Sequence, residues 1–114
     1  MTKIVKSDNL DEAAQCLKCG GTVIFPTETV YGLGADALNE DAVKKIYAAK
    51  GRPSDNPLIV HIADTDNLLK IVKTVPPDAQ KLIDAFWPVP LTMIFKKGDA
   101  VPRIVTANLD TVAV

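Results

Sequence analysis

The sequence predicts an α/β fold in which a twisted mixed or largely parallel open sheet is flanked by helices. Segments rich in β-branched and aromatic residues alternate along the 114-residue chain with segments whose apolar residues recur at helical spacing. Residues 58–62 are apolar at nearly every position, as in a strand buried on both faces. Because the length and the 47% hydrophobic content fit a single core, residues 1–114 are predicted to form one domain.

The first elements are predicted to be a strand, a helix and a second strand. Residues 3–6 fit a short opening strand, and the Ser-Asp-Asn stretch at residues 7–9 can cap a helix that runs to about Cys19. The apolar residues of this helix share one face, which is expected to pack on a sheet. Residues 22–25 are β-branched and aromatic, which favours the second strand.

Caps and prolines divide the middle of the chain. Asn39 is a good N-cap for a helix that reaches about Ala49. Gly51 and two prolines in residues 50–57 rule out further helix, and the apolar run at 58–62 follows as a strand that we expect to be central. Thr65 or Asp66 can then cap a short helix to about Lys73.

The last third is predicted to hold one more helix and two strands. Pro77 sits well in the first turn of a helix that ends by Trp87, because Pro88 breaks it. Residues 91–95 and the β-branched run at 111–114 are the predicted strands.

The composition excludes several classes of protein. With a formal net charge of −1 at pH 7 and a pI of about 5.7, the chain has no overall attraction for nucleic acid or for an anionic membrane. No stretch is apolar for long enough to be a signal peptide or a membrane span. We therefore predict a cytoplasmic protein that does not associate with membranes.

Cys16 and Cys19 form a C-x-x-C pair, which is typical of zinc and redox sites. A closed zinc site needs about four ligands, and the chain offers only one histidine besides this pair. Both cysteines lie near the C-terminus of a predicted helix, where the helix dipole disfavours a thiolate. We interpret them as helical cysteines without special chemistry.

The stretch at residues 25–37, FPTETVYGLGADA, is the first candidate for a site. Its Thr-Glu-Thr core offers hydroxyls and a carboxylate, and Gly32 and Gly34 can adopt φ > 0 and expose their backbone amides. Because binding sites often follow strands, this loop can hold a small polar ligand. An ordinary strand-to-helix turn explains the same residues.

A second candidate follows the helix predicted to end near Ala49. Lys50 and Arg52 flank Gly51, and a Ser-Asp-Asn run at residues 54–56 comes next. Guanidinium and ammonium groups both bind phosphate oxygens, so the loop fits a polyphosphate site. Since there is no Walker A motif, side chains and magnesium rather than a backbone cradle would hold the phosphates. The alternative is a solvated basic loop at a helix C-terminus.

The remaining chemically capable residues indicate no nucleophile. His61, the only histidine, lies in the apolar run at 58–62 on the face opposite Val60, where a hydrogen-bonded core histidine is the simplest interpretation. Trp87 and Tyr47 are interpreted as core or cleft-wall aromatics. No Ser-His-Asp order and no metal-ligand cluster is evident, so nucleophilic catalysis has no candidate.

Four motifs together resemble those of the YrdC-like family, the L-threonylcarbamoyladenylate synthases. They are PTETVYGLGADA at residues 26–37, KGRPSDNPLIVHI at 50–62, WPVPLT at 87–92 and TVAV at 111–114. Their order and approximate spacing are those of the family, and the resemblance spans nearly all of the chain. It favours the functional interpretation of both loops and of His61.

The resemblance implies a reaction in which L-threonine, bicarbonate or CO2, and ATP with magnesium yield threonylcarbamoyl-AMP and pyrophosphate. By motif position, it implies that ATP is contacted by Lys50, Arg52, Asn56 and Thr111, and L-threonine by Thr29 and His61. It implies neither a catalytic nucleophile nor a metal held by the protein. Because the adenylate serves threonylcarbamoylation of adenosine in tRNA, tRNA and tRNA-modification proteins are the implied partners.

The chain departs from the family pattern at two points. Val89 stands where the family usually has glycine, and since valine adopts φ > 0 only at a cost, this turn is expected to differ. The sequence stops at Val114, before the arginine and the Ser-x-Asn segment that follow in family members. We therefore expect an N-terminal portion of the domain that is inactive alone.

Two other functions fit the same motifs. An RNA-binding module for double-stranded RNA or tRNA is the main alternative, because YrdC-like domains present a concave basic surface. Its affinity would fall steeply with added salt, whereas the enzyme would release pyrophosphate from ATP. A carbamoyl-phosphate-using relative of the hydrogenase-maturation type is the third, but the chain lacks the acylphosphatase and zinc-finger segments that accompany it.

Overall fold

A computed structural model describes residues 2–51 and 53–114 of the chain. Contacts between Cα atoms divide it into two compact units, Met1–Arg52 and Pro53–Val114. Both units contain helices and a small sheet, so the predicted α/β class is confirmed. Among the described residues, every helix is too short or too polar to cross a membrane.

The first unit consists of two helices and a β-hairpin. Helix α1 spans Leu10–Lys18 and begins after Asn9, whose side chain makes no capping hydrogen bond. Strands β1 (Val23–Phe25) and β2 (Gly32–Gly34) pair antiparallel. Helix α2 spans Glu40–Lys50. The buried apolar side chains of α2 are Ala42, Val43, Ile46 and Tyr47.

Helix α2 has the two caps that its sequence predicts. The side chain of Asn39 accepts a hydrogen bond from the backbone N–H of Ala42 at 3.1 Å, which satisfies one of the unpaired donors of the first turn. At the other end, Gly51 has a φ of 59° and so takes the left-handed conformation that ends a helix. Local chemistry therefore determines both ends of α2.

Strand β2 lies inside the stretch that the sequence predicts to be a loop. A Cβ built on Gly34 would lie 2.7 Å from Cε1 of Phe25, and one built on Gly32 would lie 3.1 Å from its Cζ. The Phe25 ring thus covers both glycines. The hairpin forms because these residues have no side chain, and not because of their β propensity, which is low.

The second unit contains a 3₁₀ turn, two helices and a small sheet. The turn spans Thr65–Asn67, helix α3 Leu68–Ile71, helix α4 Pro77–Phe86, strand β3 Ile94–Lys96 and strand β4 Thr111–Ala113. Strands β3 and β4 are antiparallel, and Ile59 adds a parallel bridge to Ala113, so the sheet is mixed. The buried apolar residues are Val60, Leu68, Ile71, Val72, Ile83, Phe95, Val101, Val105, Val112 and Val114.

Two predicted strands are wrong. Residues 3–6 form none, and Ile4 is 94% exposed, because β-branched residues do not hold a strand that lacks a partner. Residues 58–62 form a single bridge instead of a regular central strand. The N–H of Leu58 donates to Val105, which lies in a turn, while that of Val60 donates to Ala113. Pairing with a turn interrupts the ladder.

The helix predicted to reach Lys73 ends at Ile71. Val72 is extended and bridges antiparallel to Lys97, and the N–H of Lys73 donates to the carbonyl of Lys96 at 2.9 Å. Pairing with the end of β3 therefore replaces the last helical turn. By contrast, α4 begins at Pro77 and ends one residue before Trp87, close to the predicted bounds.

Candidate functional site

The second unit contains a cavity of about 400 Å³ lined by residues 59–65, residues 87–92 and Val114. Small-molecule sites usually measure about 300–1,000 Å³, so this volume suits a small ligand. Most of the lining is apolar, and polar groups are added by His61, Asp64, Thr65 and Thr92. Such a lining can enclose a small molecule and orient it through a few hydrogen bonds.

The first stretch of the lining, residues 59–65, leads from the sheet into the 3₁₀ turn. Neighbouring side chains of an extended backbone point to opposite sides, and accordingly Val60 is 5% exposed while His61 is an exposed residue. Asp64 then accepts a hydrogen bond from the N–H of Asp66 at 2.9 Å and begins the turn. The interpretation of His61 as a core histidine is therefore wrong, because its neighbour takes the core position.

The second stretch of the lining is residues 87–92, which we call the Trp87 loop. The indole N–H of Trp87 donates to the carbonyl of Leu91 at 2.9 Å, and the N–H of Leu91 donates to the carbonyl of Val89 at 2.6 Å. The peptide bond between Trp87 and Pro88 is cis. Trp87 is half-buried, which confirms its interpretation as a cleft-wall aromatic.

The chain then joins the sheet next to the cavity. Met93 and Val114 exchange two backbone hydrogen bonds of 2.9 Å, one in each direction. Val114 is 6% exposed and also lines the cavity, so the sheet supplies part of the wall.

Thr27 organises the loop between β1 and β2 in the first unit. Its hydroxyl oxygen accepts hydrogen bonds from the N–H of Thr29 at 3.3 Å and of Val30 at 3.2 Å, and the hydroxyl donates to the carbonyl of Val30. Thr29, a predicted L-threonine contact, is exposed. The hydroxyl of Thr27 thus holds the backbone of this loop while the side chain of Thr29 stays accessible.

The predicted ATP contacts are exposed wherever the structure describes them. Lys50 is the last residue of α2, and Asn56 lies in a turn in which its N–H donates to the carbonyl of Pro53 at 3.2 Å. Thr111 opens β4 opposite Lys96. Arg52 lies outside the described residues.

The predicted site residues are divided between the two units. Thr29 and Lys50 belong to the first unit, and Asn56, His61 and Thr111 belong to the second. Of these three, His61 lines the cavity and the other two do not. Their assignments to ATP and to L-threonine stay predictions.

Several lining residues had not been named as candidates. Asp64 and Thr65 lie two and three residues past the end of the KGRPSDNPLIVHI motif, and Thr92 ends the WPVPLT motif, so these polar groups lie at or just beyond the ends of motifs already noted. The sequence does not show how close residues 59–65 and 87–92 lie in space. Only the folded backbone shows that residues 59–65 and the Trp87 loop share one cavity.

The cysteine pair and the charged residues at the start of α2 lie outside the cavity lining. Cys16 and Cys19 are free and exposed, with the thiol of Cys16 3.7 Å from the carbonyl of Thr22. On α2, a hydrogen bond to Glu40 and the charge of its carboxylate, assisted by Asp41, raise the pKa of the exposed Lys44. Within residues 2–51 and 53–114, no group of three or more His, Cys, Asp or Glu residues could hold a metal ion.

Comparison with known proteins places the chain in a family. A family model for Sua5, YciO and YrdC proteins, described as "Telomere recombination", matches residues 15–114. Threonylcarbamoyl-AMP synthase of Pyrococcus abyssi is 56% identical over 102 residues, and that of Bacillus subtilis is 58% identical over 104 residues. Each match covers 90% of this chain but only 30% of the relative, so the chain spans less than a third of these proteins.

A solved structure shows the same fold. The crystal structure of P. abyssi Sua5 complexed with L-threonine matches with a TM-score of 0.90 at 51% sequence identity. The match covers 98% of this chain and 33% of that protein. The resemblance inferred from the four motifs is thus confirmed.

Proposed function

Because the chain belongs to the Sua5/YciO/YrdC family, we propose that it is part of a threonylcarbamoyl-AMP synthase. The reaction converts L-threonine, bicarbonate or CO2, and ATP into threonylcarbamoyl-AMP and pyrophosphate. The observation that carries the proposal is the identity of 56% and 58% to two proteins of that name, in each case over 90% of the chain.

The cavity of the second unit supports a role in binding the amino acid. P. abyssi Sua5 has been solved with L-threonine, and the cavity has the volume and the mixed lining that a molecule of this size requires. His61 is the predicted L-threonine contact that lines it. In the proposed site, His61 offers a hydrogen bond to the amino acid, and Thr29 is the other residue assigned to L-threonine by motif position.

The chemistry asks for positioning and neutralisation of charge. The amine of L-threonine attacks CO2 and loses a proton, which gives a carbamate. A carbamate oxygen then attacks the α-phosphorus of ATP, the bond from that phosphorus to the bridging oxygen breaks, and pyrophosphate leaves with the electron pair. Cationic and polar side chains that hold the reactants in line lower the barrier without a nucleophile.

The ATP contacts are assigned by motif position to Lys50, Arg52, Asn56 and Thr111. Lysine and arginine suit the phosphates, because an ammonium supplies a point charge and a guanidinium a two-pronged donor. Magnesium is proposed to reach the site on the ATP phosphates. The exposed positions of Lys50, Asn56 and Thr111 are compatible with this role. The product is proposed to serve tRNA modification, with tRNA and its modifying proteins as partners.

The full-length protein that contains this chain tests the proposal. Pyrophosphate release from ATP is measured with L-threonine and bicarbonate present, and again with either one omitted or with D-threonine in place of L-threonine. We expect release only in the complete mixture, together with incorporation of labelled bicarbonate into a nucleotide product. Release that is indifferent to L-threonine, or no release at all from a folded protein, would refute the proposal.

A further inference from the structure

Two of the six residues of the Trp87 loop cannot donate a backbone hydrogen bond. All six of its residues line the cavity, but Pro88 and Pro90 have no backbone N–H. A loop with two missing donors cannot hold its shape through a regular backbone pattern. Apart from the bond of the Leu91 N–H to the carbonyl of Val89, its conformation therefore depends on bonds from side chains or from its two ends.

Both ends of the loop are attached to regular structure. At the start, the N–H of Trp87 donates to the carbonyl of Ile83 at 3.0 Å, which joins the loop to the end of α4. At the far end, Met93 exchanges its two hydrogen bonds with Val114. These bonds fix where the loop begins and ends, but not the path between them.

The indole of Trp87 fixes the conformation of the loop between its two ends. It reaches four residues along the chain and donates to the carbonyl of Leu91 at 2.9 Å. The side chain is half-buried, and a hydrogen bond shielded from water is stronger than one in solvent. The bond ties the side chain at the start of the loop to the backbone near its end.

We propose that Trp87 is a positioning residue for the amino-acid site, acting through the Trp87 loop and not by contact with the reacting atoms. This inference rests on the proposed function. The cavity that the loop lines contains His61, the predicted L-threonine contact, whereas Lys50, Asn56 and Thr111 are absent from its lining. Loosening the loop should therefore weaken binding of L-threonine and leave ATP binding nearly unchanged.

The test uses the full-length protein with Trp87→Phe, which keeps a ring but loses the N–H. A second variant places 3-benzothienylalanine at position 87, so that sulfur replaces the indole N–H in a side chain of almost the same shape. Phe86→Leu is the matched control, because Phe86 is the neighbouring aromatic residue, 52% exposed and outside the cavity lining. Titration calorimetry with L-threonine and with ATP, and hydrogen exchange of the peptide covering residues 87–93, are measured on each.

Loss of one neutral hydrogen bond corresponds to an expected rise of about 2- to 13-fold in the Kd for L-threonine. In both Trp87 variants we expect that rise, a change below about twofold for ATP, and faster exchange of the Leu91 amide; Phe86→Leu should show none of these. Unchanged exchange, or equal losses for both ligands, overturns the inference. If the unmodified protein binds no L-threonine, the proposed function fails instead, and the role of Trp87 at the site falls with it.

Discussion

The hairpin loop at residues 26–31 and the Trp87 loop both contain proline, but they are held in different ways. In the hairpin loop, a single hydroxyl, that of Thr27, binds the local backbone, and Val30 and Tyr31 are 72% and 74% exposed. In the Trp87 loop, a half-buried indole makes the bond, and both ends join regular structure. The first loop offers accessible groups, and the second forms a wall.

The difference shows that a preformed cavity needs support from a core. The two elements that the Trp87 loop connects have buried side chains, including Ile83 of α4 and Phe95 of β3. A hairpin of three-residue strands has little such support, since Ile24 of β1 is 64% exposed. Isolated two-stranded hairpins are marginally stable in water. We therefore expect the cavity to be rigid and the hairpin loop to be adaptable.

The largest expected effect is a loss of stability on removal of a phenylalanine ring from each sheet. Phe25 lies in β1 of the first unit, and Phe95 lies in β3 of the second. Phe95 is 4% exposed, so Phe95→Ala should cost about 3–5 kcal/mol of the free energy of unfolding, the usual range for a buried phenylalanine. Phe25 is only half-buried, and Phe25→Ala should cost about 0.8–1.5 kcal/mol, half the transfer free energy of a fully buried phenylalanine. Urea unfolding monitored by the hydrogen exchange of β1 and of β3 measures the cost of each substitution. Equal costs would mean that the hairpin is as well supported as the cavity.

The next effect concerns binding of L-threonine at the cavity and at the hairpin loop. His61→Ala removes a polar group from the cavity, and loss of a hydrogen bond to a charged group costs about 1.5–3 kcal/mol, or a roughly 10- to 150-fold rise in the Kd for L-threonine. Thr29→Val removes an exposed hydroxyl and should raise that Kd by about 2- to 13-fold. Calorimetric titration of the full-length protein with L-threonine shows which of the two substitutions raises the Kd more. A larger loss in Thr29→Val would place the main amino-acid contact in the hairpin.

A smaller loss of stability is expected from Gly34→Ala, which tests whether the hairpin requires a residue without a side chain at this position. A methyl group at position 34 would meet the Phe25 ring at 2.7 Å, so Gly34→Ala should cost about 1–3 kcal/mol through overpacking. In a Phe25→Ala background the ring is absent, and the same substitution should cost much less. Thermal unfolding of the two single variants and the double variant gives the coupling energy. Additive effects would show that the ring and the glycine do not interact.

The smallest effect is expected at Thr27. Thr27→Val keeps the shape of the side chain but removes the hydroxyl, which should destabilise the loop by about 0.5–1.5 kcal/mol. Thr27→Ser retains the hydroxyl and is the control. Exchange of the Thr29 and Val30 amides should quicken in the valine variant and stay near the original rate in the serine variant. Identical exchange in both would mean that the hydroxyl does not hold this loop.

Much of the helical structure and part of the candidate site could be predicted without a structure. Helix ends depend on nearby residues, and Asn39, Gly51 and Pro77 carry the signals that begin and end α2 and begin α4. The family motifs are likewise continuous in sequence, which is why His61 could be singled out before its cavity was known. The assignments of Thr29, Lys50, Arg52, Asn56 and Thr111 rest on the same motifs and stay predictions.

Strand pairing and the cavity were decided by the tertiary structure, because they depend on residues distant in sequence. Residues 3–6 have strand propensity but pair with no strand among the described residues. Gly32–Gly34 has little propensity and pairs because the Phe25 ring occupies the space that side chains would fill. Val72 leaves its helix to bridge Lys97. The cavity arises in the same way, since residues 59–65 and the Trp87 loop come together only when the chain packs around a shared core. Local signals determine how a segment begins and ends, and long-range packing determines what it faces.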